Sequence, residues 1–511
     1  MIEREIKLVA DDGVSLPDLA ALVPGISVGP QSTLHLTAVY YDTPTLSLAR
    51  SGVTLRARIG EPGPIWTLKL PSVGADAGLS RPEITFDAPL GPVPSEARVA
   101  VRAYVRSQPL GPVVRLRTER AEIPLEFEGT PLGTLADDAV VADGDSEPVM
   151  AFREIELELA SGDVSAKVVK RLVGLLRKVG CRDDAPLPKA IRALGDQALG
   201  PPDVVTGKIG KRATTRDVVC HTIAKSVAQL VEHHAGTWLG DDPEDLHQFR
   251  VGARRLRSDL RTFAPLLDEQ WTVRLRDELK WLGAEVGLGR DADVLAERLR
   301  AQVRELPADD AGAVADLLRR LEGNRDDARR HVEAALASDR YVELLDALCE
   351  ASHDQRFAPE SIGLADEPAR DALVKIVRKP WHKLKTAADA LTLDSPDPEF
   401  HAVRIRAKRA RYAVEAVAPV VGGEARRCAA ALANVQSVLG DHQDTTLAEA
   451  WLRTAANELP SSRLVVGELL MLDRLERQRL RRVFESVWRR ASRRKLSEWL
   501  DERDPGDRQA K

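Results

Sequence analysis

Carboxylate side chains alternate with apolar ones in two short segments of the chain. Glu3 and Glu5 stand in such a pattern at the start of the sequence, and EIELEL at 154–159 repeats it. A period of two places the carboxylates on one face of a β-strand. Neighbouring buried carboxylates repel each other unless a cation lies between them. If the two segments pair, their oxygens would form a site for Mg²⁺ or Mn²⁺ rather than zinc.

Basic side chains show the same alternation in other segments of the first 200 residues. TLRAR at 54–58, TLKLP at 67–71 and R-x-R at 115–117 are examples. Cations and carboxylates on one sheet face could bind phosphate oxygens and metal together. The alternative is an ordinary strand with a solvated charged face and an apolar core face, since periodicity does not show which face is inside.

One pattern occurs twice in the second part of the chain, at 246–263 and again at 400–417. In each copy, polar residues at helical spacing form a stripe beside an apolar stripe. The polar stripes are His247, Arg250, Arg254 and Arg257 in the first copy, and His401, Arg404, Lys408 and Arg411 in the second, with Arg255 and Arg409 adding charge. Like charges at this spacing repel, whereas guanidinium groups match the oxygens of a phosphate chain.

A basic stripe can also be a solvated helix face, or can pair with acidic residues on neighbouring helices. Two copies in register, each led by a histidine, favour a shared anionic ligand over these alternatives. A linear polyphosphate is the ligand that such rows suit best.

The elements that must position these residues fall into two parts. Residues 1–200 contain short alternating runs between Pro and Gly, which predicts an antiparallel sheet or barrel. Residues 201–213 are interpreted as a linker and 214–500 as all helical, with repeats at about 214–345 and 365–500 and a polar tail at 501–511. Helix ends are predicted near Pro307, Pro359, Pro380, Pro396 and Pro460.

Composition excludes several classes of protein. The 511 residues are 43% hydrophobic and 30% charged, which is typical of folded chains rather than disordered ones. Aromatic residues make up 4% and the net charge is −5, which argues against a nucleic-acid partner. The four cysteines are far apart and no apolar run is long enough to span a membrane, so we expect a cytoplasmic location.

The ordered motifs of the first part resemble the CYTH, or triphosphate tunnel metalloenzyme, family. They are E-x-E-x-K, YYDTP (40–44), TLRAR, TLKLP, R-x-E (81–83), R-x-R, ADD (136–138), EIELEL and LPKAIRAL. The resemblance implies an eight-stranded antiparallel barrel around a charged tunnel. Where the family often has R-x-E-x-E, this chain has Thr85 in place of the last acid, which puts substrate preference and metal stoichiometry in doubt.

The resemblance also implies roles for individual residues, with Mg²⁺ or Mn²⁺ as the cofactor. Implied metal ligands are Glu3, Glu5, Glu154 and Glu156, with Glu158 and Asp138 as further candidates. Implied contacts to the triphosphate are Lys7, Arg56, Arg58, Lys69, Arg81, Arg115, Arg117 and Lys189. The implied catalytic set is Glu3, Glu5, Lys7, Glu154 and Glu156.

The duplicated H-x-x-R motifs, each followed by an L-G-x-x-x-D element, resemble the two halves of a CHAD domain. The whole chain is therefore similar to bacterial proteins that join a CYTH domain to a CHAD domain, and its expected fold class is α+β multidomain. The CHAD resemblance implies a duplicated helical bundle that binds inorganic polyphosphate through its His and Arg stripes, and association with polyphosphate granules is a further expectation.

The function predicted on this basis is metal-dependent hydrolysis of tripolyphosphate in the barrel, with polyphosphate binding by the helical domain. Two alternatives stay open. The chain could be a non-catalytic polyphosphate binder or granule adaptor, or it could hydrolyse or cyclise an organic triphosphate.

Overall fold

The chain divides into two compact units, Met1–Asp203 and Val204–Lys511. The structure is a computed structural model that describes residues 2–63, 65–71, 80–143, 148–160, 165–183 and 187–501. Within the strands at 2–10, 80–86 and 148–159, some residues are described by their backbone alone. These residues include Glu3 and Arg81, so the predicted roles of their side chains lie outside the described part.

The first unit is built on antiparallel strands. In chain order they are β1 (Ile2–Ala10), β2 (Ile26–Val28), β3 (Ser32–Asp42), β4 (Thr54–Ile59), β5 (Trp66–Lys69), β6 (Ser80–Phe86), β7 (Gly111–Phe127), β8 (Thr130–Asp143) and β9 (Pro148–Leu159). Their order in the sheet is β2-β7-β3-β4-β5-β6-β1-β9-β8, with a further pairing between β7 and β8.

The pairing of β7 with β8 closes the sheet on itself. β2 and β3 pair with successive parts of the same edge of β7, so together they fill one position in the ring. The ring therefore has eight strand positions. The predicted fold class, an antiparallel barrel followed by a helical region, is confirmed.

The two faces of the barrel wall differ in chemistry because side chains alternate along each strand. On β1 and β9, Leu8, Ile155 and Leu157 face outward and pack against a helix at 166–178. The intervening residues face inward. The register sets Glu5 opposite Glu158 and Lys7 opposite Glu156, so the two acidic segments do pair in the sheet.

Helices make up the remaining regular structure of the described residues. In the first unit they are α1 (Leu19–Leu22), α2 (Ser47–Arg50), α3 (Ser95–Ala100), α4 (Arg102–Val105), α5 (Ala166–Lys178) and α6 (Lys189–Leu194). In the second unit they are α7 (Thr215–Glu232), α8 (His234–Leu239), α9 (Pro243–Thr262), α10 (Glu269–Gln302), α11 (Ala311–Ala337), α12 (Asp339–His353), α13 (Ile362–Ala365), α14 (Ala369–Asp389), α15 (Asp397–Val421), α16 (Gly423–Glu458), α17 (Arg463–Ala491) and α18 (Arg494–Asp501).

The helical unit repeats one packing scheme. α7, α9, α10 and α11 pack in sequence, and α14, α15, α16 and α17 pack in the same order. The two motif-bearing helices, α9 and α15, also contact each other. Their apolar stripes are buried; Phe249, Leu256 and Leu260 are completely inaccessible. The basic stripes of both copies are thereby brought to one place.

One predicted helix end is wrong. Pro380 lies inside α14 rather than at its end. A proline inside a helix removes its own backbone hydrogen bond to the preceding turn, and its ring crowds the carbonyl there. Here the neighbouring Val377 and Trp381 are buried in the core, and this packing maintains the helix across the proline.

Candidate functional site

The barrel encloses a cavity of about 170 Å³ whose walls are mostly charged. Every strand that contributes to it does so through residues of one parity. The lining residues are Glu5, Lys7, Tyr40, Thr54, Arg56, Arg58, Glu61, Lys69, Glu83, Arg120, Glu122, Glu156, Glu158, Pro188 and Lys189. Eight of the site residues that the CYTH resemblance implies line this cavity, together with several residues that were not predicted.

Three carboxylates form an oxygen cluster on one wall. Ligand oxygens of Glu5, Glu156 and Glu158 all lie within 4.8 Å of one another. Carboxylate oxygens at this separation fit a hard divalent cation such as Mg²⁺ or Mn²⁺. The residues present therefore suit the metal that the CYTH resemblance implies.

Lys7 contacts two members of this cluster. Its Nζ lies 3.2 Å from Glu5 Oε1 and 2.6 Å from Glu156 Oε1. Burial alone would lower the pKa of the Lys7 ammonium, but the fields of Glu156, Glu5 and then Glu154 outweigh burial and raise it. Lys7 therefore stays protonated and positively charged among the carboxylates.

Glu156 is the most heavily paired carboxylate of the cavity. Lys189 Nζ lies 3.0 Å from Oε1, and Arg120 Nη2 donates to Oε2 at 2.8 Å. Burial would raise the pKa of Glu156, yet the charges of Lys189, Lys7 and Arg120 hold it well below its ordinary value. The side chain is therefore ionised although it is almost completely buried.

Asp138 and Arg120 form a buried support behind the cluster. Arg120 donates to both oxygens of Asp138, at 2.8 Å each, and Lys189 contacts the same carboxylate. Because cationic partners already engage both oxygens, Asp138 holds Arg120 and Lys189 in place, and it is not part of the oxygen cluster of the described residues. Glu154 lies in a similar position, 3.2 Å from Arg192 and 3.8 Å from Lys189.

Cations concentrate on the part of the wall formed by β4 and β5. Arg56, Arg58 and Lys69 all line the cavity, as the sequence predicted. Burial, and then the charge of Arg56, lower the pKa of Arg58. Glu61 pairs with Arg58, and Glu83 lies 3.1 Å from Lys69. Because the charge of Arg56 disfavours the charged form of Arg58, an anion bound beside them would be favoured.

Two predicted triphosphate contacts lie elsewhere. Arg115 and Arg117 are exposed on the outer face of β7, where Arg117 pairs with Asp143 at 2.8 Å. Their expected position in the tunnel is wrong, because the inward parity of β7 belongs to Leu116 and Arg120. Arg120 was missed in the sequence, where TER at 118–120 carries no motif.

A second cavity, of about 350 Å³, lies between the duplicated helices. Its described lining contains six cationic side chains and no acidic one. The lining residues are Arg254, Arg257, Ser258, Arg261, Arg276, Ile405, Lys408, Arg409 and Tyr412. Arg261 and Arg276 were not predicted; Arg276 comes from α10, outside the duplicated motif.

Several stripe residues have partners on their own helix or on neighbouring helices. Arg250 pairs with Asp291 at 2.7 Å, and Arg254 Nε donates to the Tyr412 hydroxyl at 3.1 Å. Arg255 and Arg411 both bind Glu415, and His401 Nδ1 contacts Gln443. Burial, and then the charges of Arg290 and of the stripe itself, lower the pKa of His247.

Burial and neighbouring cations lower the pKa values of Arg404 and Lys408 in the second copy. Burial and the charges of Arg404, Arg254 and Arg250 lower the pKa of Lys408 to about 6, against which Asp444 acts weakly. Burial likewise lowers the pKa of Arg404, with Arg254 and Arg250 contributing. The cavity thus has an excess of positive charge that a bound anion would relieve.

Comparison with known proteins identifies both units. The first 184 residues match the CYTH domain and residues 221–453 match the CHAD domain. A protein of Mycobacterium tuberculosis described as uncharacterised is 32% identical, and the alignment covers 96% of each chain. The chain therefore belongs to the family that joins a CYTH domain to a CHAD domain, and it carries the triphosphate tunnel fold.

Two solved structures resemble part of the chain. PptA from Streptomyces chartreusis is 23% identical, with 54% of this chain and 100% of that chain covered and a TM-score of 0.47. The CHAD domain from the plant Ricinus communis is 26% identical, with 60% and 98% covered and a TM-score of 0.43.

No helix in the described ranges is long and apolar enough to cross a membrane.

Proposed function

We propose that the barrel hydrolyses inorganic triphosphate with the help of a divalent cation, and that the helical unit binds polyphosphate. The observation that carries the first part is the cavity itself, in which an oxygen cluster and a group of cations share one small space. This combination suits a metal and a phosphate chain bound side by side.

The residues of the cavity suggest a division of labour. Arg56, Arg58 and Lys69 would bind and orient the oxygens of tripolyphosphate, and would stabilise the charge that develops when the bond to the terminal phosphorus breaks. Glu5, Glu156 and Glu158 would hold Mg²⁺ or Mn²⁺, which supplies charge neutralisation and lowers the pKa of water. Water is the nucleophile, so no covalent intermediate on the protein is required.

The lining also bears on the alternative substrates. Among the described residues of the cavity, Tyr40 is the aromatic one, and its neighbours are charged or small. A nucleobase or thiamine ring would need an apolar or stacking surface. The cavity therefore favours an inorganic chain over an organic triphosphate.

The experiment is a release assay for phosphate from tripolyphosphate with Mg²⁺ or Mn²⁺. Glu5→Gln removes the negative charge of one carboxylate in the oxygen cluster, and we expect the rate of phosphate release to fall on the order of 100-fold. Glu119→Gln is the matched control, because Glu119 is exposed on the outer face of β7. Activity should disappear with a chelator, and ATP and thiamine triphosphate should be poorer substrates.

Equal, negligible release by wild-type protein and Glu5→Gln would refute the enzymatic proposal and leave a binding protein. Faster release from an organic triphosphate would refute the inorganic substrate.

A further inference from the structure

Lys7 occupies the space in which the oxygen cluster would hold a metal. Its ammonium is 3.2 Å from Glu5 and 2.6 Å from Glu156, two of the three carboxylates in the cluster. Its side chain is only 20% exposed, so the ammonium has exchanged most of its water for these two carboxylates. The acidic cluster is thus already partly neutralised by a cation of the chain itself.

A divalent cation would compete directly with this arrangement. Both oxygens of Glu156 already accept contacts, from Lys7 and Lys189 on Oε1 and from Arg120 on Oε2. Arg120 and Lys189 are also anchored to the buried Asp138. Lys7 lacks that anchor in the described contacts, and its side chain is a flexible four-carbon stem that carries a point charge. Lys7 is therefore the cation that can leave.

We propose that Lys7 is a placeholder that fills the divalent-cation site in the free protein and moves to a phosphate oxygen when triphosphate enters. This proposal rests on the proposed function of the tunnel. Transfer of Lys7 would free oxygens of Glu5 and Glu156 at the moment when the substrate delivers its negative charge. Metal and triphosphate would consequently bind cooperatively, each raising the affinity for the other by the same factor.

The test measures Mn²⁺ binding rather than turnover. Electron paramagnetic resonance of free Mn²⁺ would give the affinity with and without imidotriphosphate, an analogue whose bridging nitrogens resist hydrolysis. For wild-type protein we expect weak Mn²⁺ binding alone and at least about tenfold tighter binding with the analogue, a coupling of ordinary size. For Lys7→Met we expect tighter Mn²⁺ binding without the analogue and little further gain when it is added.

Two variants separate the placeholder from a general charge effect. Lys69→Met removes another cavity lysine, which lies 3.1 Å from Glu83, a carboxylate outside the described oxygen cluster, so Mn²⁺ affinity should not change comparably. Lys7→Arg keeps a positive charge and should keep Mn²⁺ binding weak. Circular dichroism would establish that each variant is folded.

Equal Mn²⁺ affinity in Lys7→Met and wild-type protein would overturn the proposal. If Lys7→Met does not fold, wild-type protein decides, because Mn²⁺ affinity that is unchanged by the analogue also overturns it. A failure of the proposed hydrolysis would be a different result: the protein would release no phosphate, although the analogue would still tighten Mn²⁺ binding.

Discussion

At the scale of single residues, Lys408 differs from its counterpart in the first copy, Arg254. A guanidinium stays charged at every accessible pH, whereas the buried Lys408 ammonium, beside Arg404, Arg254 and Arg250, has a pKa of about 6. Lys408 is therefore mostly neutral in the free protein at neutral pH. An anion bound in the cavity would restore its charge and raise its pKa.

This residue predicts how polyphosphate binding depends on pH. The bound state holds more protons than the free state, so affinity should fall as pH rises from about 6 toward the ordinary lysine value of about 10.4. In Lys408→Arg the profile should be flatter. Calorimetry in two buffers with different ionisation heats would measure proton uptake, and equal uptake by both proteins would contradict this assignment.

The lowered pKa of Lys408 also affects the stability of the protein without ligand. The pKa of Lys408 is lower in the folded protein than in the unfolded chain. At pH values between these two pKa values, the unfolded chain therefore binds one more proton at Lys408 than the folded protein does. The contribution of Lys408 to the free energy of unfolding should therefore increase as pH rises through this window.

At the scale of elements, β7 shows what the sequence could and could not predict. In residues 5–8 of β1 and 154–159 of β9 one parity is charged and the other apolar, so this alternation admits one orientation around a charged tunnel. On β7 both parities carry arginine. Arg120 on its inward face pairs with Asp138 on β8, and the periodicity of a single strand does not contain this contact. The set of residues predicted for the basic cavity was incomplete for a similar reason, because Arg276 comes from α10, outside the duplicated motif.

β7 also supplies a matched pair of variants. Arg120→Met leaves the buried Asp138 without its bidentate partner, which should destabilise the barrel by about 3 kcal/mol. Arg117→Met, on the same strand, removes an exposed pair with Asp143 and should cost less than about 1 kcal/mol. Thermal unfolding of the full chain, followed through the transition of the first unit, would compare them. Equal losses would mean that Arg120 is not the buried support described above.

At the scale of the whole molecule, two compact units carry two separate sets of charges, although the chain's net charge is only −5. The total hides them because the lining of the tunnel contains as many acidic as basic side chains, and acidic residues elsewhere in the chain offset the cations of the helical cavity. Each unit encloses its own cavity, so loss of one binding surface should leave the other intact.

The corresponding prediction is a double dissociation. Reversing the four cations Arg250, Arg254, Arg404 and Lys408 to Glu should abolish retention of long polyphosphate and leave tripolyphosphate hydrolysis unchanged. Glu5→Gln should do the opposite. Wild-type retention should be insensitive to a chelator and should weaken steeply with salt, as expected for cations that bind a phosphate chain. Retention by the reversed variant equal to that of wild type would show that the stripes do not bind polyphosphate.

The cavity between α9 and α15 draws cations from both copies of the duplicated motif. A single copy could complete such a cavity only by association with an identical partner, in which every substitution would appear twice. Fusion of the copies in one chain removes that symmetry and fixes one cavity per molecule. Each half can then change alone. Arginine at position 254 and lysine at position 408 are a difference of this kind, which an assembly of identical copies could not contain.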